Sequence, residues 1–273
     1  MTNDSAPTDL PPSPELDTGV SHSARVWNHW LDGTDNFAAD REAGDRIAEL
    51  YPDIVTIARA ARAFLGRTVR YLAVDRGIRQ FLDIGAGLPT AGNTHQIAQR
   101  VARQSRVVYV DNDPLVLAQA RALLTSSPEG RTAYVDADLR DPDAILREAA
   151  TTLDFTKPIA ITLIAVLHHI SDYGEARAIV HRLIAAMPAG SHLVISHSTN
   201  IVCGRASDEA VARWNEFGRP PVTLRSTEQI TGFFDGLELL WPGVVSTPRW
   251  RPDPSPSGLP PEVDQFCGVA RKP

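Results

Sequence analysis

FLDIGAGLPT, residues 81–90, decides the reading of the fold. An apolar run passes through Asp83 into a turn containing Gly85 and Gly87, the pattern of a strand whose carboxyl end opens into a glycine-rich loop. Such loops let the backbone approach a nucleotide closely. A dinucleotide fingerprint needs a third glycine at position 90, where this chain has Thr90 preceded by Pro89. The Asp83 carboxylate would repel a pyrophosphate and pair with an ammonium group. The turn therefore argues against a nicotinamide dinucleotide and for a ligand that is positively charged near the glycines.

Downstream, RVVYVDND (106–113) ends a second apolar run in Asp111, where an acid can accept both hydroxyls of a ribose. Asp113 precedes Pro114 and is the better cap for the helix that follows, which leaves Asp111 free. TAYVDADL (132–139) ends a third run in Asp138, placed to accept from an exocyclic amine such as that of adenine. Ammonium, ribose and adenine together describe S-adenosylmethionine.

The same alternation continues along the chain. Helical stretches are expected at 93–103, 114–124, 141–150 and 173–186, between apolar runs at 80–85, 106–111, 132–138, 158–167 and 191–196. Unbroken apolar strands alternating with helices mean a parallel sheet covered on both faces, so the fold class is α/β, doubly wound. A helix at 207–217, a capping-box start at Ser226 and Gln229, and late strands at 237–241 and 265–270 complete the chain, the last as an antiparallel edge. Before the first strand, Val26, Trp27, Trp30 and Leu31 recur at helical spacing. A second helix is expected to be capped by Asp35 or Asn36, and a third to span 52–72. Residues 1–20 are rich in Pro, Ser, Thr and Asp and read as a disordered tail. The expected division is a helical lid at 21–75, a cofactor-binding core at 76–200, and an acceptor region with the final strands at 201–273.

Composition narrows the partners. The 273 residues carry a net charge of −6, which gives no broad attraction for phosphate backbones, so no nucleic-acid partner is expected. No apolar run approaches the ~20 residues of a membrane span. The amino-terminal stretch has neither a basic start nor an apolar core, and the expected location is the cytoplasm. Cys203 and Cys267 form no CxxC pair and the histidines no ligand spacing, so neither a disulfide nor a catalytic metal is expected.

Residues 81–87, 107–114, 134–139 and VLHHI at 166–170 resemble, in order and spacing, the motifs of class I S-adenosylmethionine-dependent methyltransferases. SARVWNHWLDGTDNFAADREAGD (23–45), QFLDIGAGLPT, VVYVDNDP and WRP (250–252) resemble more specifically an actinobacterial S-adenosyl methyltransferase family formerly described as a domain of unknown function. The resemblance covers nearly all of 21–273. It implies a Rossmann-like seven-stranded sheet with its last strand antiparallel and S-adenosyl-L-methionine across the ends of the first four strands. It places Asp83 near the methionine end with Gly85 and Gly87 under it, Asp111 on the ribose and Asp138 at the adenine, with Ala86, Pro89, Asn112, Leu139 and Ala165 as further cofactor-binding residues. The fourth strand lacks the acid that many methyltransferases carry at its start, and Ala61 stands where the family usually has Asn.

The polar text DNFAADREAGD (35–45) makes Asn36 and Arg41 candidates for the methionine carboxylate or the acceptor, with Asp40 to orient Arg41 or meet the ammonium. His168 is the one candidate for a catalytic proton role; its alternative is to shape the pocket. The function expected is methyl transfer to an unidentified small-molecule acceptor, the alternatives being a non-catalytic S-adenosylmethionine sensor or an NAD(P)-dependent oxidoreductase. The sequence assigns no oligomeric state.

Overall fold

In the computed structural model the described residues are 17–89, 92–123, 126–256 and 258–273, without the side chains of 120–123. Most of the expected tail, together with Thr90 and Leu124, lies outside them.

Five strands form the parallel body of the sheet: β1 (Gln80–Ile84), β2 (Arg106–Asp111), β3 (Arg131–Asp136), β4 (Ala160–Ile164) and β5 (His192–Ser198). The antiparallel β8 (Gln265–Arg271) follows, in the spatial order β3-β2-β1-β4-β5-β8. β1 lies between β2 and β4 and every one of its residues is buried, as its unbroken apolar text requires. Seven strand positions were expected, and the seventh is divided. β6 (Glu238–Leu239) and β7 (Val245–Ser246) both pair with β8, giving eight strands among the described residues. The expected strand at 237–241 is cut short because Pro242 has no N–H to donate to a ladder.

Side chains alternate across the sheet. Leu82, Ile84, Val108, Val110, Ile161 and Leu163 pack on α6 (Pro142–Ala149) and α7 (Tyr173–Ala186). Phe81, Val107 and Tyr109 face the other way, onto α3 (Asp53–Val74) and α4 (Thr94–Val101). Asp83 shares the parity of Phe81, so its carboxylate points to the α3–α4 side. Trp250 is fully buried there, edge-on to Phe64 and Tyr71 of α3.

A third core joins α1 (Ser23–Trp30), α2 (Ala38–Leu50), the start of α3 and α8 (Arg205–Phe217), through Val26, Trp30, Ile47, Tyr51, Ile57 and Trp214. α2 is not capped by Asp35 or Asn36. Phe37 occupies the cap position, and its N–H donates to Asp40 Oδ2 at 2.9 Å, while Asp40 Oδ1 accepts from His22 N at 2.9 Å. Asp40 is fully buried in this joint between α1 and α2, so it neither orients Arg41 nor meets a ligand. The order in which strands are added reverses between β1 and β4: β2 and β3 lie to one side, β4 and β5 to the other. A doubly wound sheet opens its ligand crevice at that point, beyond the carboxyl ends of the strands.

Candidate active site

A cavity of about 540 Å³ lies at this crevice, between the strand ends and α1–α3 and α8. Asp83, Gly85, Ala86 and Gly87 supply one wall, and Asp111, Asn112, Asp138 and Leu139 another. Ala165 and His168 enter from the segment after β4. Pro89, Asn36 and Arg41 are not lining residues.

The two glycines do different work. Gly85 has φ +73°, and a Cβ there would sit 2.5 Å from Val166. Gly87 has φ +63°, yet among the described residues a Cβ would meet nothing within 4 Å. Its missing side chain therefore serves the open space rather than packing. The Gly87 N–H donates to Asp111 Oδ2 at 2.8 Å, and the Asp113 N–H to Asp111 Oδ1 at 3.0 Å. Burial pushes the Asp111 carboxyl above its ordinary value, and those two N–H groups hold it back towards ionisation. Each oxygen keeps a further acceptor site for a hydroxyl. Asp113 accepts from Leu115 N at 2.8 Å, opening α5 (Pro114–Leu123), and its other oxygen faces His22 Nδ1 at 2.8 Å and Arg25 Nε at 3.4 Å. The capping role thus falls to Asp113.

β3 ends at Asp136, and Asp138 lies in the loop beyond it, accepting from Arg140 N at 2.8 Å and Asn112 Nδ2 at 3.3 Å. Asp83 is deeply buried and accepts hydroxyl hydrogens from Thr94 and Thr162, both at 2.6 Å. Burial raises its pKa, opposed by those hydroxyls and by the Arg62 guanidinium. Arg62 comes from α3, lines the cavity and donates to Asn93 Oδ1 at 3.0 Å. The sequence reading missed it. Its signal is an arginine adjoining the apolar stripe of Ala58, Ala61 and Leu65, where a purely structural helix carries another apolar residue. Ala61 is itself buried on the cavity wall.

Asn36 and Arg41, expected to meet the methionine carboxylate or the acceptor, are held in local hydrogen bonds. Asn36 Nδ2 donates to Asn28 Oδ1 and to the Gly33 carbonyl, and Arg41 donates to the Asn36 carbonyl and side-chain oxygen. These bonds close the α1–α2 turn.

Ala165 has φ +54°, a left-handed conformation costly for a residue with a Cβ. Its N–H is held by the Ser196 carbonyl and hydroxyl at 3.1 and 3.2 Å. The His168–His169 pair follows. Burial pushes His169 down to about 4, so it is neutral near pH 7. Its Nδ1, 2.9 Å from the Pro221 carbonyl, carries the proton, and its Nε2 accepts from His168 Nε2 at 3.2 Å. His168 Nδ1 lies 2.9 Å from the Ser198 hydroxyl, which also reaches Gln265 Oε1 at 3.1 Å. Both nitrogens of His168 are engaged, and burial holds its pKa well below the ordinary histidine value. The geometry favours pocket shaping over a proton role. Arg225 fastens this turn, donating to the Leu167 and Ile170 carbonyls at 3.1 and 2.6 Å and to His197 Nε2 at 2.6 Å.

A carboxylate for ribose hydroxyls, an open glycine above it, and an acid with an arginine beneath the turn fit S-adenosylmethionine, whose amino-acid end is a zwitterion. Similarity to known proteins agrees. Residues 10–273 match the family model described as S-adenosyl methyltransferase. A DUF574 family protein from Streptomyces avermitilis is 43% identical, with 95% of this chain and 100% of that chain covered and a TM-score of 0.91. A protein from Thermobifida fusca is 38% identical over 96% of this chain and 98% of that chain, with a TM-score of 0.86. An O-methyltransferase family protein from Burkholderia thailandensis, 17% identical over 82% of this chain and 62% of that chain, shares the fold at a TM-score of 0.50. No curated protein matches the sequence. The chain belongs to the S-adenosyl methyltransferase family and is an S-adenosylmethionine-dependent methyltransferase.

Proposed function

We propose that this chain methylates a small-molecule acceptor held between the strand ends and α1–α3 and α8, in the cytoplasm. The observation that carries the reading is the open space over Gly87 and Asp111, continuous with a cavity walled by the amino-terminal helices. Bound there, S-adenosylmethionine supplies an electrophilic methyl group on a sulfonium. Asp111 accepts the ribose hydroxyls, and Asp138 with Asn112 faces the adenine. Asp83 and Arg62 answer the ammonium and carboxylate of the methionine. Displacement at a methyl group needs alignment and exclusion of water. The α1–α3 segment acts as the lid, tied down where His22 and Arg25 meet Asp113. The free thiols of Cys203 and Cys267 suit a reducing compartment.

The acceptor class is tested by release of S-adenosylhomocysteine from S-adenosylmethionine in the presence of three separate fractions of a cell extract: small molecules, proteins and RNA. Turnover with the small-molecule fraction alone is expected. Turnover confined to either macromolecular fraction contradicts the reading.

The two glycines give a paired prediction. Gly85→Ala is expected to destabilise the fold by about 2–4 kcal/mol, because the new methyl overlaps Val166 in a left-handed residue. Gly87→Ala should cost only about 1–2 kcal/mol of stability, from the left-handed backbone alone, while weakening S-adenosylhomocysteine binding at least tenfold. Thermal unfolding and calorimetric titration of both variants check this. Equal affinity in Gly87→Ala and wild type would remove the glycine from the cofactor site.

A further inference from the structure

We propose that the Asn28 side-chain amide donates to the carboxylate at the methionine end of the cofactor, with Asn36 and Arg41 as positioning residues that fix its orientation. The inference rests on the cofactor reading above and names a further partner for one end of that ligand. Asn28 sits in the last turn of α1, is buried and lines the cavity.

The orientation of its amide follows from a chain of hydrogen bonds. An arginine can only donate, so the 3.0 Å bond from Arg41 to Asn36 Oδ1 sets which end of the Asn36 amide is oxygen. Asn36 Nδ2 then donates to the Gly33 carbonyl at 2.8 Å and to Asn28 Oδ1 at 2.9 Å. With its oxygen held, Asn28 has Nδ2 to spare. That nitrogen has no acceptor among the described residues, and it is not one of the unpartnered polar atoms sealed inside the protein, so a ligand in the cavity can reach it. Gly33 lets the amide lie there, because a Cβ at that residue would fall 2.3 Å from Asn28 Nδ2. The segment holding Asn36 and Arg41 thus acts on the ligand through Asn28.

Place and charge select the group that is recognised. The turn after α1 is tied to α3 where Arg59 meets Asp32 at 2.8 Å, and to α5 where Gln119 donates to Asp35 at 3.1 Å. Arg62 stands about one helical turn beyond Arg59 and brings its guanidinium to the same cavity, where it acts on Asp83. Asp83 answers an ammonium. The Asn28 amide adds neutral donors to the charge of Arg62, and a carboxylate, which only accepts, satisfies both.

Calorimetry with two ligands tests this: S-adenosylhomocysteine, and S-adenosyl-3-thiopropylamine, which keeps the ammonium and lacks the carboxylate. Wild type is expected to bind the amine at least about tenfold more weakly. Asn28→Asp keeps the shape and the acceptor for Asn36 but sets a negative charge where the donor stood. It should weaken S-adenosylhomocysteine at least about tenfold and the amine less than about twofold. Asn36→Asp removes the donor that holds Asn28 Oδ1 and lets the Asn28 amide turn over, so it should weaken S-adenosylhomocysteine about fivefold and again spare the amine. A purely structural role would weaken both ligands together. If wild type binds neither ligand, the cofactor reading fails and this proposal with it. Three results beside intact binding of S-adenosylhomocysteine to wild type overturn the proposal alone: equal affinity of wild type for the two ligands, equal loss of both in the Asn28→Asp and Asn36→Asp variants, or loss of neither.

Discussion

Asp111→Ala is expected to weaken S-adenosylmethionine binding by about 2–4 kcal/mol, roughly thirtyfold to a thousandfold. The substitution removes the proposed acceptor of the ribose hydroxyls. It also releases the N–H groups of Gly87 and Asp113, which the carboxylate holds at 2.8 and 3.0 Å. The glycine turn and the start of α5 would therefore loosen together, and each freed donor lies beside the cavity. Asp113→Ala is the control. Its carboxylate caps α5 and ties down His22 and Arg25 without lining the cavity, so its loss should lower stability more than cofactor affinity. Calorimetry for affinity and urea unfolding for stability separate the two. The reverse order, with Asp113→Ala losing affinity and Asp111→Ala keeping it, would transfer the ribose role to Asp113.

Arg225→Met should lower stability by about 3–5 kcal/mol, since charged hydrogen bonds in a buried setting are worth about 1.5–3 kcal/mol each and the orphaned acceptors add their own cost. Arg225 is 3% exposed and has no carboxylate in its bonding set. Its charge is met by the Leu167 and Ile170 carbonyls, by His197, and by the faces of Tyr173 and Phe233, each 5.6 Å away. The guanidinium thus pins the turn that carries Ala165, His168 and His169 into the cavity. Arg225→Lys should recover only part of the loss, because an ammonium on a single stem cannot span acceptors arranged for a planar fork. Chemical denaturation measures both variants. A loss below about 1 kcal/mol in Arg225→Met would mean that the turn holds without the clamp, the usual result for a surface substitution.

The parts of the site legible in the sequence are those that local chain geometry decides. A strand's carboxyl end, its parity and the glycines after it are contiguous in the text, so Asp83, Gly85, Gly87 and Asp111 could be placed from residues alone. Asp113 as the cap of α5 follows from Pro114 beside it. The helix expected at 173–186 is α7 residue for residue, because Asp172 offers its carboxylate to Glu175 N at the start.

What was not legible depends on contacts between distant segments. Asn36 and Arg41 have the right chemistry for a carboxylate, and in the structure the Asn36 amide and one Arg41 nitrogen bond within the turn between α1 and α2. Arg62 lies on a helix before the first strand, and only the packing of α3 against β1 and α4 brings it to Asp83. The strand expected at 237–241 is present in shortened form, as β6 over Glu238–Leu239.

Calorimetric titration of the wild-type protein with S-adenosylhomocysteine, and separately with NAD⁺, bears most directly on the cofactor site. The account predicts one saturable site for S-adenosylhomocysteine in the micromolar range, about −8 kcal/mol at 1 µM, weakened roughly thirtyfold or more in Asp111→Ala, and no heat with NAD⁺. Binding of NAD⁺ with no response to S-adenosylhomocysteine would contradict it.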